Sequence, residues 1–364
     1  MTSRYPHSKS HATAYVVCAA ALFALYLLDP NRRAPGRNEA NSTPTRAQED
    51  DDHGRYADVP EDIPPKGLYD VLWRVMHEVS NDRVAFVAAG VTFYLLLALF
   101  PALGATVSLY GLLADPIDIA EHLKALSYAL PPGAFDVFEP QVQALVHMRE
   151  TTLSVTFLVS LSITLWSARN GTLALFDAMN VAYQEVEKRG FLKLNVIAIL
   201  FTLCAMIVLI IMIGVTAALP AVFRLVSLDP ANEALILLTG WALVIAAALT
   251  GAAVVYRIGP SREPPKVRWL TWGSLFATSA WIVMSSAYAW YLGNLADYNA
   301  SYGALGGLVG FLIWLWLSVT LLIVGAELNA ELEHQTVKDS TTGRPLPMGF
   351  RGAYMADTIG RAAK

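Results

Sequence analysis

Seven stretches of this chain carry no Asp, Glu, Lys or Arg: residues 12–28, 84–114, 151–168, 194–223, 234–256, 269–296 and 298–326. A helix needs about 20 mostly apolar residues to cross a bilayer. All but the first stretch reach or approach that length. Backbone groups in lipid must pair internally, so the stretches read as helices. Charged residues make up 15% of the chain, against about 25% in soluble domains. Such a pattern excludes a soluble globular enzyme, a disordered chain and a disulfide-stapled secreted domain. It also speaks against an outer-membrane barrel, whose strands alternate over about 10 residues.

The cations set the expected topology, because Lys and Arg concentrate in cytoplasmic connections. The segment 29–83 holds 8 of them, 115–150 holds 2, 169–193 holds 4, 224–233 holds 1, 257–268 holds 4, residue 297 none and 327–364 holds 5. This alternation is satisfied by six spans with both flanks of the core in the cytoplasm. Tyr110, Trp241, Tyr291, Tyr298 and Tyr302 then fall at outer ends, and Trp166, Tyr256, Trp269 and Trp272 at inner ends, where amphipathic rings favour the interface. Stretch 12–28 has the length of a signal-peptide core. Cleavage would send eight cations outside, however, and no small-x-small site follows, so an uncleaved extra N-terminal helix is expected.

Four units follow: 1–28, an apolar segment; 29–66, a disordered, acidic and Pro-rich cytoplasmic linker; 67–337, the six-helix membrane domain; and 338–364, a cytoplasmic tail. The expected class is an all-α polytopic bundle. Residues 67–80 form an amphipathic helix, with Leu68, Val71, Leu72, Val75 and Val79 at helical spacing, expected to lie on the inner membrane surface. Connection 115–150 divides at Pro131-Pro132-Gly133 into two amphipathic pieces that either close the outer face or form a lid or partner-docking element. The inner connection 170–190 also reads as helical.

No ionisable group except Tyr or Cys lies inside an expected core span, and all seven histidines lie outside. A proton drive through buried mid-membrane carboxylates is therefore not favoured. Cys18 and Cys204 sit in apolar stretches as packing residues. Hydroxyls crowd the second core span (Ser154, Thr156, Ser160, Ser162, Thr164, Ser167) and the fifth (Thr271, Ser274, Thr278, Ser279, Ser285, Ser286). They read as interhelical hydrogen bonds or as a polar pathway lining. Gly303, Gly306, Gly307 and Gly310 form small-xxx-small faces for close helix packing. Pro101, midway along the first core span, should kink it.

Polar residues gather at the inner ends: Asp82, Arg83, Arg169, Asn170, Asp177, Asn180, Glu327, Asn329 and Glu331. They read either as interhelical pairs, for example Arg169 with Glu327, or as a vestibule for a charged head group or ion. Glu331-x-x-His334 is half of a carboxylate-bridged metal motif, and no metal or other cofactor is expected from a half. Neither a Walker loop, a zinc helix, a nucleophile elbow nor a nucleotide fingerprint occurs. A net charge of −4 and a pI near 6.0 offer no basic surface for nucleic acid.

Three segments carry a resemblance. The first is Ser80-Asn81-Asp82-Arg83, running into Ala88-Ala89-Gly90-Val91-Thr92-Phe93-Tyr94 and Leu99-Phe100-Pro101. The second is Ala168-Arg169-Asn170-Gly171, with Ala174-Leu175-Phe176-Asp177-Ala178-Met179-Asn180, Ala182-Tyr183 and Arg189-Gly190-Phe191. The third is Tyr298-Asn299-Ala300-Ser301-Tyr302-Gly303, with Gly325-Ala326-Glu327-Leu328-Asn329-Ala330-Glu331-Leu332-Glu333. Over 67–337 the chain resembles the YihY/virulence factor BrkB family. That resemblance implies a six-helix inner-membrane protein of unsettled function, historically mislabelled ribonuclease BN, and it supplies no catalytic residues. The function expected is transport or lipid/solute translocation without an ATPase. Its partners would be membrane lipids and a small-molecule, ion or lipid substrate, with no nucleic acid; a homo-oligomer is compatible. The alternative is a non-transporting envelope scaffold. Ribonuclease activity is not supported, because the cytoplasmic segments show neither a His/Asp cluster nor excess positive charge.

Overall fold

The computed structural model describes residues 52–110, 155–225, 230–294 and 306–363. The stretch 12–28, most of the linker, connection 115–150 and Gly303 lie outside the described residues. Within them the helices are α1 (Pro65–Asn81), α2 (Val84–Tyr110), α3 (Val155–Ala182), α4 (Phe191–Leu225), α5 (Pro230–Ile258), α6 (Arg268–Asn294), α7 (Gly306–Glu333) and the short α8 (Tyr354–Asp357). A 3-10 turn, Pro60–Asp62, precedes α1.

The six long helices, α2 to α7, overlap the six long charge-free stretches. By length and hydropathy, Phe191–Met212, Leu238–Ile258 and Gly306–Glu333 each qualify alone as membrane spans. Pro65–Asn81 and Val84–Leu99 qualify together, as a pair bent by 60°. Large apolar side chains face outward along these helices, among them Phe86, Ile163, Leu200, Leu238 and Trp290. Outward apolar faces are what a lipid solvent requires.

α7 organises the packing. It lies along α6 and also touches α1, α2 and α3; α2 lies along α3, and α5 rests on α6. The main core joins Val84, Ala88 and Val91 of α2 to Ala178 and Met179 of α3, Val255 and Tyr256 of α5, Leu270 and Ala277 of α6, and Ile323, Ala326 and Ala330 of α7. A second cluster, Ala57, Ile63, Val71, Val75, Trp269 and Leu332, fastens α1 to the end of α7.

Several expectations change here. Residues 52–65, assigned to a disordered linker, are ordered by long-range bonds: the Val337 N–H donates to the Arg55 carbonyl at 2.8 Å, and Gln335 Nε2 donates to the His53 carbonyl at 2.7 Å. α1 does not simply rest on a membrane surface. It buries Asp70, Val71, Arg74 and Val75 against its neighbours, leaving Tyr69, Leu72 and Met76 exposed on the other side. Connection 170–190 is not a separate helix, because α3 continues unbroken to Ala182. Tyr256 and Trp269 are fully buried core residues, not interfacial anchors; Trp166 and Trp241 are exposed. Pro101 lies within α2, which runs on to Tyr110. The 60° bend is at Asp82–Arg83, where Arg83 takes a left-handed φ of 50° and its carbonyl accepts the Phe86 N–H at 2.7 Å.

Candidate functional site at the closed end of the bundle

Four segments meet at one end of the molecule: the 52–81 flank, the turn 183–190, the turn 259–267 and the tail 334–363. The last turns of α7 stand in their middle. Positions two apart on a helix lie about 200° apart around the axis, and positions four apart only about 40°. Glu327 and Glu331 therefore share one face, and Asn329 and Glu333 share the opposite one. All four are buried, and each meets a different part of the chain.

On one face, Arg74 of α1 binds Glu331 through Nε. The same guanidinium donates to the Glu331 carbonyl at 3.1 Å, to Gln335 Oε1 at 2.8 Å and to the Arg361 carbonyl at 2.9 Å. His334 Nδ1 stands 3.5 Å from Glu331, and its Nε2 meets Thr358 Oγ1 at 3.0 Å. The Ala363 N–H donates to Asp70 at 2.8 Å, so the tail is stitched to α1. On the opposite face, Asn329 Oδ1 accepts the Gly273 N–H at 2.7 Å, and its Nδ2 donates to the Leu270 carbonyl at 3.3 Å. Glu333 receives both bonds from one Arg262 nitrogen, at 2.7 and 2.9 Å, with both side chains fully buried. Ser340 Oγ donates to the same carboxylate at 2.9 Å. The Arg262 guanidinium lies over the Tyr183 ring at 4.7 Å.

Asn180 joins the two turns. Its Oδ1 accepts the Ser261 N–H at 2.7 Å and its Nδ2 donates to Glu187 at 3.1 Å. Arg189 grips Glu187 at 2.6 and 2.7 Å and donates to the Ile258 and Gly259 carbonyls at 3.0 and 2.7 Å. A guanidinium thus satisfies carbonyls at the C-terminus of α5, where the helix dipole favours positive charge. Partial burial alone would raise the Glu187 carboxyl. The Arg189 side chain and backbone N–H, with Asn180 and Ser261, instead hold it down at about 2. In the tail, burial likewise works against the charged Asp339, but the Leu346 and Thr341 donors and Arg351 keep it below the ordinary carboxylate range.

Of the nine rim residues marked in the sequence, the structure engages Asn180, Asn329 and Glu331 in this network. It places Asp82 against Glu327. Arg83 and Asn170 are exposed and stand apart; Asp177, also exposed, feels the charges of Glu187 and Arg189 from the edge of the network. The expected Arg169–Glu327 pair does not form: Arg169 stacks on Trp166 at 3.8 Å and donates to neighbouring Asn170 at 3.0 Å. Among the described residues, no group of three His, Cys, Asp or Glu that could hold a metal ion includes Glu331 and His334.

Gly306 and Gly310 are buried in α7, and the Gly310 carbonyl accepts the Tyr288 hydroxyl at 2.9 Å. A Cβ at Gly310 would meet only ordinary contacts, the nearest at 3.7 Å. At the α6–α7 seam the tight glycines are Gly273 and Gly325, whose backbones touch. Three of the six Ser and Thr hydroxyls of α6, Thr271, Ser274 and Ser286, close helical bonds. Ser274 and Ser286 donate to carbonyls four residues back, and Trp281 and Trp314 donate to Ser318 and Ser285 across the α6–α7 seam.

Above this end, α5, α6 and α7 leave a cleft of about 230 Å³. Gly251, Ala252 and Val255 line it from α5, Ala277, Thr278 and Trp281 from α6, and Ser318, Val319 and Leu322 from α7.

The chain matches the family model described as virulence factor BrkB over residues 75–347. It is 28% identical over 250 residues to the ribonuclease-like protein YfkH of Bacillus subtilis, covering 67% of this chain and 88% of that one. It is also 28% identical over 275 residues to a UPF0761 membrane protein of Alkalilimnicola ehrlichii, covering 74% of this chain and 60% of the relative's length. A UPF0761 membrane protein of Neisseria meningitidis is 35% identical over 80 residues, 22% of this chain and 20% of that one. No solved structure matches. With outward apolar helices, a family match over most of its length and membrane proteins among its relatives, the chain belongs to the virulence factor BrkB family of membrane proteins.

Proposed function

We propose that the protein translocates a lipid or small solute across the bacterial inner membrane, with α2 to α7 all crossing and the closed end facing the cytoplasm. The cleft between α5, α6 and α7 carries this reading. Its walls are mostly apolar, with Thr278 and the Trp281–Ser318 pair as its polar points. Its volume of about 230 Å³ is below the 300–1,000 Å³ of small-molecule sites, which suits part of an extended chain better than a compact solute. A chain-bearing lipid is therefore the favoured cargo.

The ribonuclease-like name of the Bacillus subtilis relative has less support here. A hydrolase at the closed end would call on its buried carboxylates. Glu331 and Glu333 are instead held by Arg74 and Arg262, as structural ion pairs are.

Full-length protein in phosphatidylethanolamine/phosphatidylglycerol liposomes tests the reading, with a fluorescent lipid read by an impermeant quencher. The expected result is transbilayer lipid exchange at least about tenfold above protein-free vesicles, a barrier difference of about 1.4 kcal/mol. Gly251→Leu should bring that rate close to baseline. A Cβ at Gly251 meets nothing within 4 Å, so the leucine occupies the cleft without a backbone clash. Equal rates with and without protein, for lipid and for a solute panel, would overturn the proposal.

A further inference from the structure

Two buried charges on α7 are neutralised in pairs, Glu331 by Arg74 and Glu333 by Arg262; Glu327 is not. Its side chain is completely buried, yet neither carboxylate oxygen has a hydrogen-bond donor, and Oδ2 of Asp82 lacks one too. The two carboxyls lie within hydrogen-bonding reach of each other. An ionised carboxylate only accepts, so two of them cannot bond unless one carries a proton. Facing carboxylates cannot both ionise cheaply, and they resolve the conflict by sharing a proton.

Among the described residues, no Lys, Arg or His forms an ion pair with either carboxyl. Arg74 is committed to Glu331, Gln335 and the Arg361 carbonyl. His334 adjoins Glu331, and Arg262 is committed to Glu333. Arg169 on α3 stacks on Trp166, and Arg83 on the bend is exposed. The other acidic neighbours, Glu78 of α1 and Glu331 of α7, add negative charge. A hard metal cation asks for about six or more oxygens, and among the described residues no three His, Cys, Asp or Glu form a group that could hold one.

We propose that Asp82 and Glu327 form a proton-binding site that holds one proton between the two carboxyls at neutral pH. Proton uptake converts one carboxylate to the acid and creates the hydrogen bond that ties the α1–α2 bend to α7. Proton release leaves two charges facing each other across that joint, which drives the bend away from α7. The site is independent of what the cleft carries.

Infrared difference spectroscopy on the full-length protein in phosphatidylcholine nanodiscs tests this. Wild type at pH 7 should show a carboxylic-acid carbonyl band, shifted in D₂O and absent from Glu327→Gln. Glu327→Gln should keep the wild-type melting temperature, because the amide can donate to Asp82 in the proton's place. In Asp82→Asn the band should move, since its partner has changed. Two results would overturn the proposal: identical bands in wild type and Glu327→Gln, or a band that added sodium removes at constant pH, which would make this a metal-cation site.

Discussion

Arg262→Met is expected to destabilise the protein by about 3–5 kcal/mol, the cost of removing one partner from a buried ion pair. The Arg262 and Glu333 side chains have no solvent exposure. Without the guanidinium, Glu333 keeps only the Ser340 hydroxyl as donor, and its charge is stranded. The effect should be asymmetric. The double variant Arg262→Met/Glu333→Leu removes both charges and fills similar volume, so it should recover most of the loss, because buried pairs contribute little net stability over well-packed apolar residues. Denaturation in detergent, followed by tryptophan fluorescence, measures both. A single variant within about 1 kcal/mol of wild type would show that this end is hydrated and open.

The second large effect concerns Gly273. A Cβ there would run into the Gly325 carbonyl oxygen and the Asn329 amide, and its clash with backbone cannot be relieved by moving a side-chain tip. Gly273→Ala should push α6 off α7 and break the two bonds Asn329 makes to the α6 backbone. Overpacking costs roughly 1–3 kcal/mol and a stranded buried amide about 1–3 more, so a loss of about 3 kcal/mol or more is expected. The comparison is Gly293→Ala on the same helix, where a Cβ meets nothing within 4 Å. That change should be neutral or stabilising by up to about 1 kcal/mol. Equal melting temperatures for the two variants would contradict the close α6–α7 seam.

The long helices and their class were readable because the bilayer makes a one-dimensional demand, and a run without charge meets it visibly. The ends of α3 and α7 were not. Both helices continue past their charge-free stretches, to Ala182 and Glu333, since other segments of the same chain cover the polar turns. Glu327, Asn329 and Glu331 stood out by their concentration, but their partners did not. Arg74 lies 257 residues from Glu331 and Arg262 lies 71 from Glu333, and nothing local in the sequence encodes such pairings. Arg169 misled for the same reason: it sits at a span end like its supposed partner, yet an aromatic one turn away takes its charge. Gly273 and Gly325 were overlooked because neither has a second glycine four residues away; only their mutual approach makes them necessary. The alternation of Asn329 with Glu331 and Glu333 was the available clue that α7 is surrounded on two sides.

The account rests on one geometric claim, that both flanks of the helical core and the turns 183–190 and 259–267 lie on a single side of the membrane, the cytoplasmic one. Gly190→Cys and Lys338→Cys test it directly, each in a chain whose Cys18 and Cys204 are replaced by serine. Both positions are exposed, so an impermeant maleimide will react wherever it has access. The account predicts no labelling of either site in intact cells and full labelling of both in inverted vesicles. Labelling of either one from outside intact cells would contradict it.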